Sequence, residues 1–227
     1  MGQDLDANDF NFKSIGNAPL AEPYPSYPPS RLSLIAISNK YGFTFIGTPS
    51  SSSSSSASVR VYSTKALLHR DSLEDSASTP DAVVTLTPPV DAAAVTYVSI
   101  SSDDLTLAVV FLIGKNHKCF FFDVRALGKG GGGIGGADSS NLRWFSELLL
   151  CSGAETEPLD LRWNPAAPLT LACVTSDGKL TVAKIGNSLT DFGGVEIVGA
   201  KIVDAVCCCW SPKGKQVQTG IRMKCVI

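Results

Sequence analysis

The sequence lacks a long hydrophobic run, an excess of charge of either sign and an apolar N-terminal segment. A membrane-spanning helix needs about 18 or more consecutive apolar residues, so we expect no transmembrane segment. The first residues are polar and acidic, so we also expect no secretory signal peptide. The net charge of −2 gives no reason to predict nucleic acid or an anionic membrane as a direct partner.

Motifs for catalysis and metal binding are also missing. The chain has only two histidines, it has no C-x-x-C pair of the kind that holds structural zinc, and it has neither a G-x-S-x-G elbow nor a P-loop. The acidic pair Asp103-Asp104 lies in a predicted turn, where Asp is favoured as a turn former rather than as an acid or base. We therefore expect a protein that is not an enzyme and that has no catalytic residue, cofactor or metal.

The seven cysteines are an odd number, and three of them are adjacent at 207–209. In a strand, Cys207 and Cys209 point to one face and Cys208 to the other. Such a run suits reduced, buried thiols that act as small hydrophobic side chains, which indicates a cytosolic or nuclear compartment. A zinc site is the alternative, but the spacing favours core packing.

A glycine tract at 128–136 contains the pattern G-x-G-x-x-G at Gly131, Gly133 and Gly136. In a dinucleotide-binding fold this pattern opens a helix after a strand of a parallel sheet. No parallel-sheet pattern surrounds the tract, which is nearly a homopolymer. A nucleotide-dependent enzyme that uses these glycines is therefore only a minor alternative.

One supersecondary unit recurs along the chain: a strand, a tight turn and a second strand. It occurs after Ile100, at Trp163-Asn164-Pro165 and at Trp210-Ser211-Pro212, with spacings of 63 residues from Ile100 to Trp163 and then 47 residues to Trp210. Units of roughly 40–45 residues with a Trp before the turn are typical of propeller blades. The pattern predicts an all-β, WD40-like β-propeller.

Other turns support this interpretation. The segment Lys40-Tyr41-Gly42 closes a predicted hairpin, and Asp177-Gly178 is a strong hairpin signal. Residues 32–37 are predicted as a strand, and residues 194–203 as the fourth strand of the third unit. Residues 142–150 carry apolar side chains at helix-like spacing, which favours a short helix or an irregular connector there.

The domain organisation follows from composition. Residues 1–30 are polar and then proline-rich, and they predict an extended lead-in; residues 31–227 predict a partial propeller with low-complexity insertions at 50–56 and 128–136. About three to four blades cannot close a ring, so we expect an incomplete propeller from a fragment, a splice form or a gene-model error. Expressed alone, such a chain should aggregate or melt non-cooperatively.

Several segments resemble the N-terminal propeller of the large cytoplasmic-filament, CAN-type nucleoporins of the nuclear pore. They occur in the same order and at comparable spacing over about residues 31–220. The most specific feature of the resemblance is the hairpin Ser-Asn-Lys-Tyr-Gly, taken together with the order of the other segments. The segments are SLIAISNKYG at 33–42, DLTL at 104–107, FFDVR at 121–125, DLRWNP at 160–165 and CWSPKGKQ at 209–216.

The resemblance implies a seven-bladed propeller, of which this chain holds about the first half. It also implies location at the cytoplasmic face of the nuclear pore, contact with other nucleoporins and a role in mRNA export, in which the propeller docks a DEAD-box RNA helicase. No partner-binding residue is carried over, because the helicase contacts of the family are expected in later blades. The alternative is a WD40-like adaptor in another intracellular complex.

The residues that we single out are therefore structural. They form the turns of the propeller, and the two tryptophans are expected to lie between blades. The set is Lys40, Tyr41, Gly42, Trp163, Asn164, Pro165, Asp177, Gly178, Trp210, Ser211 and Pro212.

Overall fold

The computed structural model describes residues 31–48, 57–68, 82–128, 144–153, 155–186, 200–201 and 204–221. These residues form four antiparallel sheets, which we number in chain order. Sheets 1, 2 and 3 have four strands each, ordered as in the sequence, and sheet 4 has two. Among the described residues, no helix is long and apolar enough to cross a membrane.

Sheet 1 follows a short 3-10 helix, Arg31–Leu34. The strand predicted at 32–37 therefore begins only at Ile35, and its first residues belong to this helical turn, which is a correction to the prediction. A short helix, α1 (Thr64–Leu68), follows the third strand. The strands are β1 (Ile35–Ser38), β2 (Phe43–Thr48), β3 (Ser58–Ser63) and β4 (Val84–Leu86).

Sheet 2 contains the longest strands, and α2 (Val124–Gly128) follows its third strand. The helix or irregular connector predicted at 142–150 is wrong, because residues 144–152 form the outer strand of this sheet and pair with β7. The strands are β5 (Ala94–Ile100), β6 (Thr106–Ile113), β7 (Asn116–Asp123) and β8 (Trp144–Ser152).

Sheets 3 and 4 carry the two Trp-X-Pro turns. The predicted fourth strand at 194–203 is present as a short β12, whereas residues 187–199 lie outside the described residues. The strands are β9 (Pro158–Trp163), β10 (Thr170–Thr175), β11 (Lys179–Lys184), β12 (Ala200–Lys201), β13 (Ala205–Trp210) and β14 (Val217–Ile221).

The predictions for three segments cannot be compared with the structure. The lead-in at 1–30 and the serine tract at 50–56 lie outside the described residues, as does the glycine tract apart from Gly128 at the end of α2.

The hydrophobic core lies between consecutive sheets, as the flat faces of neighbouring blades require. One cluster joins sheets 1 and 2, a second joins sheets 2 and 3, and a smaller third joins sheets 3 and 4. The first strand of each sheet also contacts the first strand of the next. The four sheets are therefore arranged side by side around a common axis, with β1, β5, β9 and β13 nearest to it.

Aromatic rings fill the space around sheet 2. Phe120 packs edge-on against Phe111 and Trp144, with ring centroids 5.8 and 5.4 Å apart. On the other face of the sheet, Phe121 packs edge-on against Trp163 of sheet 3, at 6.0 Å. Because β7 is buried on both faces, its sequence Cys-Phe-Phe-Phe does not alternate between apolar and polar residues.

Candidate docking face

The turns that join the first two strands of each sheet lie at the same end of the molecule. We call this end the turn face and define it by residues 39–42, 101–105, 164–169 and 211–216. The predicted residues Lys40, Tyr41 and Gly42 lie in the first of these turns, and both Pro-containing turns lie beside them. The predicted residues Asp177 and Gly178 lie at the opposite end of the molecule, in the turn between β10 and β11.

The two Pro-containing turns are each held by the side chain at their first position. Asn164 Oδ1 accepts hydrogen bonds from the backbone N–H groups of Ala166 and Ala167, at 2.8 and 3.0 Å. Ser211 Oγ accepts from the backbone N–H groups of Lys215 and Gln216, both at 3.2 Å. Asn and Ser are favoured at this position because their short polar side chains replace the missing backbone partner.

The turns of neighbouring sheets are also bonded to one another. Asp104 Oδ2 accepts a hydrogen bond from the backbone N–H of Lys40, at 2.9 Å, and so joins sheets 1 and 2. Ser102 Oγ donates to the carbonyl oxygen of Asn164, at 3.0 Å, and joins sheets 2 and 3. Asn164 Nδ2 donates to the carbonyl oxygen of Gly214, at 2.8 Å, and joins sheets 3 and 4. The turn face is therefore one continuous hydrogen-bonded row.

The acidic pair on this face has the turn-forming role that its position predicts. Asp103 Oδ1 accepts hydrogen bonds from Ser101 Oγ at 2.6 Å and from the backbone N–H of Leu105 at 3.1 Å. Asp104 has a φ of 63°, a left-handed conformation that Asp tolerates better than most residues. The side chain of Asp104 also reaches sheet 1, which the sequence pattern did not reveal.

A second connection lies below the turns, at the buried side chain of Asp160 on β9. Its Oδ1 atom accepts a hydrogen bond from the hydroxyl of Tyr97 on β5, at 3.0 Å. Its Oδ2 atom accepts from the backbone N–H of Cys208 on β13, also at 3.0 Å. Arg162 Nε forms an ion pair with the same carboxylate, at 3.0 Å. One side chain thus joins sheets 2, 3 and 4.

The electrostatic effects around Asp160 agree with this geometry. Burial, together with the negative charge of Asp160, raises the pKa of Tyr97 to about 12. The same two causes raise the pKa of the Cys208 thiol to about 12. Tyr97 therefore remains a neutral hydroxyl donor at physiological pH, as the hydrogen bond to a carboxylate requires.

The two tryptophans occupy equivalent positions with different burial. Trp163 is 9% exposed and lies between sheets 2 and 3, against Phe121. Trp210 is half-buried beside sheet 3, and its indole N–H donates to the carbonyl oxygen of Arg162 at 2.9 Å. Each ring therefore covers the sheet that precedes its own.

At the opposite end, Asp177 and Gly178 form the turn between β10 and β11. Gly178 has a φ of 77°, which glycine adopts without strain. Thr175 Oγ1 donates a hydrogen bond to Asp177 Oδ1 at 2.5 Å, and this bond lowers the pKa of the Asp177 carboxyl. Asp177 and Gly178 therefore shape this hairpin, and they lie at the end of the molecule opposite to the turn face.

A cleft of about 600 Å³ opens between sheets 2 and 3 at the turn face. Its lining combines the apolar side chains of Leu105, Phe145 and Leu169 with charged side chains. One of the charged residues, Arg125, is paired with Asp123, with Nη2 2.8 Å from Oδ2. An apolar lining with a few polar groups is typical of sites that bind another molecule.

The cysteines require a correction. Cys208 is buried, as predicted, but Cys207 and Cys209 are exposed rather than packed in a core. The reason is that the face of β13 that carries them is not covered by another described sheet. Within the described ranges, no group of three or more His, Cys, Asp or Glu side chains is placed to hold a metal ion.

Comparisons with known proteins agree with the resemblance noted in the sequence. No family model matches the chain. The nuclear pore complex protein Nup214 of Homo sapiens is 28% identical over 229 aligned residues, which is 97% of this chain. Nup214 of Drosophila melanogaster is 27% identical over 95% of this chain. The chain spans only 10–11% of the length of these relatives.

Solved structures provide a comparison of the fold alone. Sqt1 from Chaetomium thermophilum has a TM-score of 0.53 and 14% identity, with 82% of this chain and 40% of that chain covered. A chain of the mitotic checkpoint complex has a TM-score of 0.51 and 13% identity, with 83% and 47% covered. The predicted all-β, WD40-like propeller is confirmed, and over the described residues it is incomplete. The predicted resemblance to CAN-type nucleoporins is also confirmed: along nearly its whole length this chain is similar to the Nup214-type nucleoporins.

Proposed function

We propose that this chain is a non-enzymatic docking module of the nuclear pore complex, at its cytoplasmic face, in nucleocytoplasmic transport and mRNA export. Its proposed partners are other nucleoporins and, through the family resemblance, a DEAD-box RNA helicase. The observation that carries the proposal is the similarity to Nup214 over 97% of the chain.

The turn face gives this proposal a physical basis. A binding loop loses affinity when it must be ordered at the moment of binding, so loops on a rigid scaffold bind more tightly. Here four successive turns are bonded to one another through Asp104, Ser102 and Asn164. The turn face is therefore preorganised, and it carries the cleft between sheets 2 and 3.

The carboxylates at and below the turn face favour binding over chemistry. Asp103, Asp104 and Asp160 each accept hydrogen bonds that shape the fold. A nucleophile needs a neighbouring base or a lowered pKa. These side chains are instead arranged as structural acceptors, which supports a module that acts by binding.

The experiment is affinity capture of the tagged full chain from cells, with quantitative mass spectrometry and imaging of the same tag. We expect a nuclear-rim signal and enrichment of nucleoporins and the export helicase. Recovery of a different intracellular complex, with no rim signal, would replace the proposal with the adaptor alternative.

A charge-matched pair of variants tests the docking face. Lys213→Glu with Lys215→Glu changes two exposed residues of the turn face, and Lys115→Glu with Lys179→Glu changes two exposed residues of the opposite end. The total charge change is the same. We expect the first variant to lose captured partners by at least about tenfold, or roughly 1.4 kcal/mol, and the second to retain them. The opposite result would assign docking to the other end.

A further inference from the structure

The exposed charges at the two ends of the molecule differ in sign. At the end that carries the turn face, the exposed cations of the described residues are Lys40, Lys65, Arg125, Lys184, Lys213 and Lys215. At the opposite end, the exposed carboxylates of the described residues are Asp91, Glu155, Glu157, Asp177 and Asp204, and the exposed cations are Lys115 and Lys179. The turn face therefore attracts negative charge more strongly than the opposite end does.

The carboxylates near the turn face are already used inside the protein. Asp103 and Asp104 are half-buried and accept hydrogen bonds from groups of the turns themselves. Asp123 is paired with Arg125. By contrast, within the described ranges no carboxylate lies within ion-pair distance of Lys184, Lys213 or Lys215. The ammonium groups of these three lysines are therefore available to the carboxylates of a partner.

The cleft between sheets 2 and 3 places apolar surface beside these charges. Its apolar lining comes from Leu105, Phe145, Pro168 and Leu169, and Lys184 lines the same cleft. These four apolar residues are only half-buried, so part of their surface is in contact with water. An apolar side chain of a partner that enters the cleft removes this surface from water, and the gain grows with the area covered.

We infer that the turn face binds an acidic peptide segment of a partner protein, with a Leu or Phe side chain of that segment in the cleft. The inference rests on the proposed docking function and names the chemistry of the partner. Peptide carboxylates on either side of the anchor pair with Lys184 at the cleft and with Lys213 and Lys215 on the neighbouring turn. Single-stranded RNA instead needs exposed aromatic rings for its bases. The one aromatic residue of the four turns is Tyr41, and Lys40 Nζ lies over its ring, 5.7 Å from the centroid.

The test is a fluorescence-anisotropy titration of the purified full chain against the labelled peptide EDEDLFDEDE. We expect saturable binding that weakens when the salt concentration is raised from about 50 to about 300 mM, because the lysines are exposed. The peptide EDEDAADEDE keeps the charge but lacks the anchor, and it should bind at least about tenfold more weakly. A peptide with lysine in place of every acidic residue should not bind.

A matched pair of variants on one strand locates the binding. Lys184 and Lys179 are both exposed and lie at the two ends of β11, so that Lys184→Glu and Lys179→Glu change the total charge equally. Lys184→Glu should weaken the binding of EDEDLFDEDE by at least about fivefold, and Lys179→Glu should leave it as in the wild type. Because both positions are exposed, the variants should fold, and circular dichroism spectra that match the wild type check this.

The same titrations give the outcomes that would overturn the inference. These are no binding of EDEDLFDEDE, equal affinities for the peptides with and without the anchor, equal affinities of the two lysine variants, and tighter binding of a labelled oligouridine than of the acidic peptide. The titrations use purified components, so a failure here leaves the proposed place at the nuclear pore to be judged by capture and imaging. A missing nuclear-rim signal, in turn, does not alter the titration result.

Discussion

Sheets 3 and 4 start from nearly the same sequence signature but differ in how deeply it is buried. Trp163-Asn164-Pro165 ends β9, and Trp210-Ser211-Pro212 ends β13. Trp163 is 9% exposed and has sheet 2 on one side and its own sheet on the other, whereas Trp210 is half-buried. In the part of the chain that the structure describes, sheet 4 has a neighbouring sheet on one side only.

The difference separates what is local from what is tertiary. Both turns use the side chain after the Trp to accept two backbone hydrogen bonds, so their geometry is set within a few residues. Burial of the Trp ring depends instead on the sheets around it. The Trp-X-Pro signature therefore predicts the geometry of the turn. It predicts the burial of the Trp ring only when the neighbouring sheets are known.

The largest expected effect is the contrast between the two tryptophans. Trp163→Ala should cost about 3–5 kcal/mol, because it leaves a cavity between sheets 2 and 3. Trp210→Ala should cost roughly 1–2 kcal/mol, because the ring is only partly buried and has a sheet on one side only. The measurement is the opening free energy of the β9–β10 and β13–β14 amides by native-state hydrogen exchange.

The matched control is Trp163→Phe, which keeps an apolar aromatic ring but makes it smaller. In the described residues, the Trp163 indole N–H has no hydrogen-bond partner. The loss of stability in Trp163→Phe should therefore be about half of the loss in Trp163→Ala. Equal costs for Trp163→Ala and Trp210→Ala would contradict the comparison of the two sheets.

The second effect concerns Asp160, the connection between sheets 2, 3 and 4. Asp160→Ala should destabilise these sheets by about 2–4 kcal/mol, because it leaves the Tyr97 hydroxyl and the Cys208 amide without their acceptor. Tyr97→Phe should cost only about 1 kcal/mol. A double-mutant cycle of the two substitutions, measured by hydrogen exchange, should give a coupling energy clearly different from zero.

The third effect concerns two glycines with almost the same backbone angle. Gly214 and Gly114 have φ values of 66° and 62°, so an alanine at either costs about 1–2 kcal/mol in backbone strain. A Cβ atom at Gly214 would also overlap Asn164 Oδ1, whereas one at Gly114 would meet nothing within 4 Å. Gly214→Ala should therefore be the more damaging, and it should loosen the turns of sheets 3 and 4. Equal losses of exchange free energy in Gly214→Ala and Gly114→Ala would contradict a stabilising role for the contact between Asn164 and Gly214.

The smallest effect is a pH dependence in sheet 2. Burial lowers the pKa of His117, and the negative charge of Glu157 opposes this shift without cancelling it. The folded state therefore binds a proton less readily than the unfolded state, so its stability falls as the pH falls below about 6.5. His117→Gln should remove this part of the acid sensitivity, as measured by melting at pH 7.5 and 5.5. If the variant loses as much stability between pH 7.5 and 5.5 as the wild type does, His117 is not the cause of the acid sensitivity.

Most of the strands could be predicted because the turns between them are chemically explicit. Gly42 and Gly178 both have left-handed φ angles, as their hairpins require. The prediction of a helix or irregular connector at 142–150 is wrong for a physical reason. In β8 the inward positions are Ser146, Leu148 and Leu150, so a polar residue starts the alternation. The exposed Leu149 then adds an apolar residue on the outward face, which imitates helical spacing.

The connections between sheets could not be predicted from local patterns. Asp104 is recognisable as a turn former, but its acceptor role toward Lys40 joins residues 64 positions apart. Asp160 looks like an ordinary polar residue within a strand, and its partners Tyr97 and Cys208 are 63 and 48 positions away. Such contacts depend on how the sheets pack, which no local pattern specifies.

The most direct test of the side-by-side arrangement of the sheets is the hydrogen-exchange rate of the Cys208 amide. This N–H donates to the Asp160 side chain of the neighbouring sheet. We predict that it exchanges slowly in the wild type and at least about tenfold faster in Asp160→Ala, with a smaller change at β6 and β7. A Cys208 amide whose exchange rate is the same in both proteins would contradict the connection between sheets 3 and 4.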